Sequence, residues 1–337
     1  MERKYISRNS LTNFLKKVQS EGISIFAPVS HGEHVDFKII TSVDEITVNY
    51  VQTVRSAKAV VFPCTEKLFS YRKEKNDVEL QDYNPDELPE TLVFGLHPCD
   101  ATGFRSLGSI FNWDTPDEPY SERRKRTTLI SLACTQSDEY CFCTSVGGNP
   151  DNTEGSDILL TPDKNNGYLA EIITEKGNEW YKKYASFFED APENFRKEDF
   201  LVEIPVKFNV EEIVRKLSGI FENDIWRMQS ERCIGCGACA FVCPTCACFD
   251  IQENAQGNVG NRVRCWDSCG FALFTLHTSG HNPRPTQSQR WRQRIMHKFS
   301  YMPERLSVVG CTGCGRCSRA CPVDMNISDN LKILNLL

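Results

Sequence analysis

Cys233-Ile-Gly-Cys236-Gly-Ala-Cys239-Ala-Phe-Val-Cys243-Pro244 and Cys311-Thr-Gly-Cys314-Gly-Arg-Cys317-Ser-Arg-Ala-Cys321-Pro322 write one pattern twice within a single chain. Both runs follow the spacing C-x₂-C-x₂-C-x₃-C-P, in which three close thiolates take three irons of a cubane and the fourth cysteine ligates the other cluster. On this pattern Cys233, Cys236, Cys239 and Cys321 belong to one [4Fe–4S] centre, and Cys311, Cys314, Cys317 and Cys243 to a second. Gly235, Gly237, Gly313 and Gly315 let the backbone curl and bring N–H groups close to the sulfurs. Structural zinc is the competing reading, but zinc pairs two short Cys hooks into one tetrahedral site and has no use for eight cysteines so spaced.

Outward from these runs, the chain is long enough, at 337 residues, for two domains with separate cores. A net charge of −6 and a pI near 5.7 argue against nucleic acid as the main partner. No apolar run approaches the ~20 residues needed to span a bilayer. No apolar segment of secretory type follows Met1, so a cytoplasmic protein is expected. The 17 cysteines divide into five before residue 150 and twelve after residue 230. With no secretory signal and with metal-type spacing, they indicate a reducing, anaerobic setting rather than a disulfide framework.

Upstream, apolar runs alternate with helical patterns. A helix over 11–19, capped by Asn9 or Ser10, precedes expected strands at 23–29, 35–40 and 45–51. Short strands at 59–62, 91–96 and 127–133 follow, the first two each leading into a helix. Strands at 157–161 and 168–173 flank Lys164-Asn165-Asn166-Gly167, a hairpin turn signal. Helical spacing marks 178–188 and 210–226. Downstream, 249–253 reads as a strand, and 267–278 and 287–299 as helices. The expected architecture is an α/β N-terminal domain over 1–220, followed by a mainly α-helical two-cluster ferredoxin-like domain over 221–337.

A second cysteine group sits in the α/β part. Cys99 and Cys134 each follow an apolar strand. Parallel neighbouring strands would bring both thiols to one carboxyl edge, where open α/β sheets bind ligands. Cys141-Phe142-Cys143 then runs into Gly147-Gly148. Four thiolates, Cys99, Cys134, Cys141 and Cys143, are thus candidates for a third metal centre, with buried thiols as the alternative. Cys64 reads as a core residue. Cys246, Cys248, Cys265 and Cys269 read as thiols packed near the clusters, or as ligands of a further metal. The basic helix over 287–299 carries Arg290, Arg292, Arg294, His297 and Lys298. It is either a solvated face, a docking face for an acidic partner, or a source of positive charge near a cluster.

Taken together, His97-Pro98-Cys99-Asp100, Cys141-Phe-Cys-Thr-Ser-Val-Gly147, Cys233 through Phe249, Trp266-Asp-Ser-Cys269, His297-Lys298 and Cys311 through Pro322 resemble the iron–sulfur β subunit of cytoplasmic sulfhydrogenases, a family shared with the corresponding iron–sulfur component of anaerobic sulfite reductases. The resemblance implies an electron-transfer subunit with a third [4Fe–4S] cluster on the N-terminal four cysteines. It also implies relay between a flavin subunit handling NAD(P)H and a catalytic partner of hydrogenase, sulfite reductase or heterodisulfide-reductase type. No Walker loop, G-x-G-x-x-G or G-x-S-x-G supplies a substrate site, and the histidines show no metal spacing, which suits a relay with no catalytic residues of its own. The alternative is a flavin-containing oxidoreductase acting directly on a small substrate.

Overall fold

The computed structural model describes residues 2–164 and 166–337; Asn165 of the expected hairpin turn lies outside them. Twelve strands are present among the described residues: β1 (Glu2–Ser7), β2 (Ser24–His31), β3 (His34–Ile39), β4 (Thr65–Lys73), β5 (Val78–Asp82), β6 (Thr91–Leu96), β7 (Thr127–Leu132), β8 (Ile158–Pro162), β9 (Gly167–Ile172), β10 (Glu189–Asp190), β11 (Phe249–Gln256) and β12 (Val259–Trp266). Eight form one mixed sheet in the order β10-β1-β9-β8-β7-β6-β2-β3. Its centre, β2-β6-β7-β8, is parallel. Every residue of β6 and β7 is buried, as parallel strands covered on both faces require.

Helix α1 (Arg8–Ser20) packs Leu11, Phe14, Leu15 and Val18 onto one face of this sheet. Its cap is Ser7, whose side chain accepts from the Ser10 N–H, rather than Asn9 or Ser10. Helix α2 (Pro98–Phe111) starts directly after β6 and packs Ala101, Phe104 and Leu107 beneath the sheet's other face. Helices α3 (Glu118–Lys125) and α4 (Glu175–Lys183) complete this region.

Several local expectations change. Residues 59–62 form no strand: Ala57–Val60 make a short helical turn. Residues 45–51 form no strand: Ser42 and Glu45 make a reciprocal capping box around a short helical turn, and only Ile46 bridges to Val29. The segment after Pro63 is strand β4, not a helix, because it lies between β12 and β5 in a four-stranded antiparallel sheet of order β11-β12-β4-β5. There Glu66 is buried and pairs with Arg264 and Arg123. Residues 267–278 form turns instead of a helix. Asn282 ties them together, donating to Ala272 O at 2.7 Å and accepting from Thr275 Oγ1 at 2.9 Å.

The helical pattern over 210–226 breaks into α5 (Val210–Leu217) and α6 (Ile225–Ser230), with a tighter turn around Gly219. A one-turn helix, α7 (Ala238–Phe241), and a longer one, α8 (Gln287–Met296), follow. Past α8 the chain opens into a wider π-type turn over His297–Tyr301, burying Lys298 and Phe299. Such wide turns re-aim side chains within a helix. Trp226, Trp291, Ile295, Phe299 and Leu331 make the core beneath the cysteine runs.

Candidate iron–sulfur centres

The chain enters the first run from α6, where Ser230 O accepts from the Cys233 N–H at 2.9 Å. Cys233, Cys236, Cys239 and Cys321 line one cavity, together with Cys269 and Arg294. Hydrogen-bond donors point at two of the sulfurs. Gln287 Nε2 lies 3.1 Å from Cys233 Sγ, and the Met325 N–H lies 3.2 Å from Cys321 Sγ. Donors of this kind stabilise added negative charge on a sulfur ligand. Cys236 is exposed, so this is the edge of the arrangement nearest solvent.

The second run curls through Gly313 and Gly315, both in the left-handed region at φ +66° and +71°. A Cβ on Gly313 would stand 2.4 Å from Cys143 N, and one on Gly315 2.5 Å from Tyr140 O. The glycines therefore let this loop lie directly on the Tyr140–Cys143 segment, where the Phe142 N–H donates to Gly313 O at 2.9 Å. Burial pushes the thiols of Cys311 and Cys317 up to about 12, and both feel the charge of Cys243. Cys243 itself is held well below the ordinary thiol range, first by a hydrogen bond from Cys246 and, against its burial, by Lys298, Arg294 and Lys58.

Those three cations test whether an anionic cluster fits. Lys58, Arg294 and Lys298 are 3%, 4% and 4% exposed. Lys58 Nζ donates to Ala240 O and Cys246 O and lies 4.1 Å from the Trp266 ring centre. Arg294 donates to Cys239 O at 2.9 Å and lies 3.6 Å from Cys246 Sγ. Lys298 Nζ donates to Gly310 O and Thr245 Oγ1 and lies 3.4 Å from Cys243 Sγ. Among the described residues no carboxylate meets any of the three. Buried charges need a counter-charge, and the thiolates of the two runs, with the negative cluster each set would hold, are what stands there. Burial opposes the charge on Lys298, yet the sulfurs of Cys243 and then Cys246 more than offset it and raise its pKa. Lys58 is lowered, first by burial and then by the charge of Lys298, against the opposing pull of Cys246, Cys243 and Cys248. Among the described residues no three His, Cys, Asp or Glu side chains are gathered tightly enough for a single metal ion.

The N-terminal four also converge. Cys99 opens α2, one residue into the helix after β6, and Cys134 follows β7. Burial, then the neighbouring Cys143 and Cys141, raises the Cys134 thiol. Cys143 is pushed up to about 11, first by burial and then by Cys141. Cys99 is raised by burial, then by Asp100, Cys314 and Cys134 among its neighbours. Donors again reach the sulfurs: Gln52 Nε2 to Cys99 and Arg319 Nη2 to Cys141, each at 3.6 Å. Cys99 and Cys143 open onto a cavity of about 260 Å³ shared with Cys311 and Thr312. Thiols raised in this way are protonated in the free chain, so a metal or cluster would have to displace their protons.

Gln52 also donates to Cys314 O at 3.3 Å, so one amide touches the N-terminal set and the second run together. Sequence reasoning overlooks Gln52 and Lys58. The sole signal is a lone lysine in the apolar stretch Ser56-Ala-Lys58-Ala. Of the five basic residues on the 287–299 helix, Arg294 and Lys298 turn inward to the cysteines. Arg290 instead ties down Arg284 O and Pro285 O, and Arg292 pairs with Glu222. Cys64 is exposed, not core, at the residue that precedes β4. Cys265 is half-buried on β12, opposite Asp250 and Thr65. Cys246 is buried beside Cys243. The thiol of Cys269 is lowered to about 6, first by the neighbouring Cys248, whose own thiol is raised.

Residues 232–325 match the 4Fe-4S dicluster domain family. Over 331 residues the chain is 30% identical to the protein named sulfhydrogenase 2 subunit beta of Pyrococcus furiosus, covering 96% of this chain and 94% of that one. No helix among the described residues is long and apolar enough to cross a membrane.

Proposed function

We propose that this chain, which belongs to the family of sulfhydrogenase β subunits, is an iron–sulfur electron-transfer subunit that passes electrons along three [4Fe–4S] centres between two partner subunits. The observation that carries the order of the relay is contiguity. The N-terminal four touch the second run through Gln52, through the Gly313 backbone and through their shared cavity. Cys317 of the second run lines the cavity of the first. The first ends at exposed Cys236. Clusters supply one-electron storage. The protein's part is to hold the thiolates at fixed spacing, aim N–H donors at them and bury cations beside them.

In this reading one partner is a flavin subunit of NAD(P)H-reductase type. The other is a catalytic redox subunit of hydrogenase, sulfite reductase or heterodisulfide-reductase type. Neither contributes to the cysteine sets, which are complete within this chain. Anaerobic affinity isolation followed by identification of the companion chains tests this directly. The expected result is a complex with both subunits, and a visible spectrum of the isolated chain with iron–sulfur absorption and no flavin bands. A chain isolated alone, or one carrying its own flavin, overturns the proposal.

A further inference from the structure

Two residues at the start of α8 are joined by contacts that end on a sulfur of the first run. Gln287 is the first residue of the helix and Arg290 stands one turn on, a spacing that puts both side chains on one face. The Arg290 guanidinium donates twice to Gln287 Oε1, from Nε at 3.1 Å and from Nη2 at 2.8 Å. Its Nη1 donates to Arg284 O and Pro285 O, each at 3.0 Å. Thr286 and Gln289 close a capping box at this point, which steadies the entry into the helix. A guanidinium has donors only, whereas an amide has one accepting and one donating end. With the oxygen held by Arg290, the amino group is left to face Cys233 Sγ at 3.1 Å. The cluster loop is shaped to this amide. Gly235 takes φ +68°, and a Cβ there would stand 3.0 Å from Gln287 Oε1 and 3.2 Å from Gly270 O.

We propose that Arg290 is a positioning residue that fixes the Gln287 amide as a donor to Cys233, and that the pair raises the midpoint potential of the first centre. The reduced cluster carries one more negative charge, shared by its sulfurs. A donor on Cys233 therefore stabilises the reduced state more than the oxidised one. Arg290 strengthens that donor, because a cation on the amide oxygen polarises the N–H groups at the other end. The acceptors its fork meets, two carbonyls and one amide oxygen, are all neutral. The Met325 N–H on Cys321 belongs to the backbone, which leaves Gln287 as the donor that a substitution can remove. The contacts are this chain's own. Only their consequence, a more easily reduced end of the relay beside exposed Cys236, rests on the relay reading.

The test uses the iron-loaded full-length chain without partners, titrated potentiometrically and followed by paramagnetic resonance, with iron content as the control. Gln287→Leu removes the donor. The first-run midpoint should then fall by roughly 59 mV, a tenfold change for one electron, while the second-run midpoint stays where it was. Arg290→Lys keeps the charge but loses the fork, and should lower the same midpoint by less. In the double variant the fall should equal that of Gln287→Leu alone, because the arginine acts through the amide. An unchanged first-run midpoint in Gln287→Leu overturns the proposal, as does an Arg290→Lys shift that persists in the Gln287→Leu background. If Gln287→Leu does not load the first centre, Arg290→Lys decides alone, and an unchanged midpoint there overturns the proposal. A wild-type chain lacking a reducible first-run centre would overturn both this proposal and the relay reading, whereas unaltered midpoints in the variants overturn this proposal only.

Discussion

Arg316 and Asp100 form an ion pair in which both side chains are 1% exposed, with Nη2 2.6 Å from Oδ2 across 216 residues of sequence. Arg316 lies inside the second cysteine run and Asp100 follows Cys99, so one pair pins two cysteine sets to each other. The Arg316 side chain also donates to Thr53 O at 3.0 Å and Thr53 Oγ1 at 2.7 Å.

Asp100→Asn keeps the shape but leaves Arg316 buried without its counter-charge. A loss of about 3–5 kcal/mol of stability is expected, read as a lower denaturant midpoint of the iron-loaded protein. The double variant Asp100→Asn/Arg316→Met should lose less than the single one. An additive double variant would show that the pair is not coupled.

Cys243→Ala should damage the centre of the second run, and Cys321→Ala that of the first, because each fourth cysteine sits with the opposite set. Paramagnetic resonance of the reduced variants distinguishes the two signals. An intact second-run signal in Cys243→Ala would refute the crossing.

Lys298→Met removes a buried positive charge 3.4 Å from Cys243 Sγ. The cation stabilises the more negative, reduced state, so the midpoint potential of the second-run centre should fall by roughly 59 mV, a tenfold change for one electron. A potentiometric titration followed by paramagnetic resonance, with iron content as the control, reads the shift. An unchanged potential would assign Lys298 a packing role only.

Cys141→Ala/Cys143→Ala should remove about four of about twelve irons and leave the other eight. Electron transfer between the partner subunits should then fall sharply, although both remaining centres stay reducible. Wild-type protein with about eight irons would dispose of the N-terminal centre.

Chelating the iron should unfold residues 232–325 before the eight-stranded sheet. Without the clusters, Lys58, Arg294 and Lys298 would remain buried with only the lowered thiols of Cys243 and Cys269 as anionic neighbours, and incompletely compensated buried charge costs several kcal/mol. Limited proteolysis of the apo-protein measures it. Protection of this segment equal to that in the loaded protein would contradict the assignment of the cations to the clusters.

The inner strands β6 and β7 are legible because a fully buried parallel strand needs an unbroken apolar run. Cys99 and Cys134 follow from them, as residues at strand ends. The ferredoxin-type runs are legible because a cubane dictates the spacing of three thiolates. Lys58, Gln52 and the inward turn of Lys298 are not, since each contact is made across 47 or more residues. The helix expected after Pro63 fails for a similar reason. Thr65 to Lys73 has no strong pattern of its own and becomes a strand because β12, nearly 200 residues later, offers it an edge.

That four-stranded sheet bears on how far the cysteine-rich half can be handled as a module. β12 is flanked by β11 from its own hairpin and by β4 from the first hundred residues. Cutting the chain near residue 220 would strip β4 and β5 away, leave β12 with an unpaired row of backbone N–H and C=O groups, and strand Arg264 without Glu66. An open edge of that kind recruits other chains. The excised half is therefore expected to aggregate on expression even when iron and sulfide are plentiful, and grafting these clusters into another scaffold would need β4 and β5 carried along.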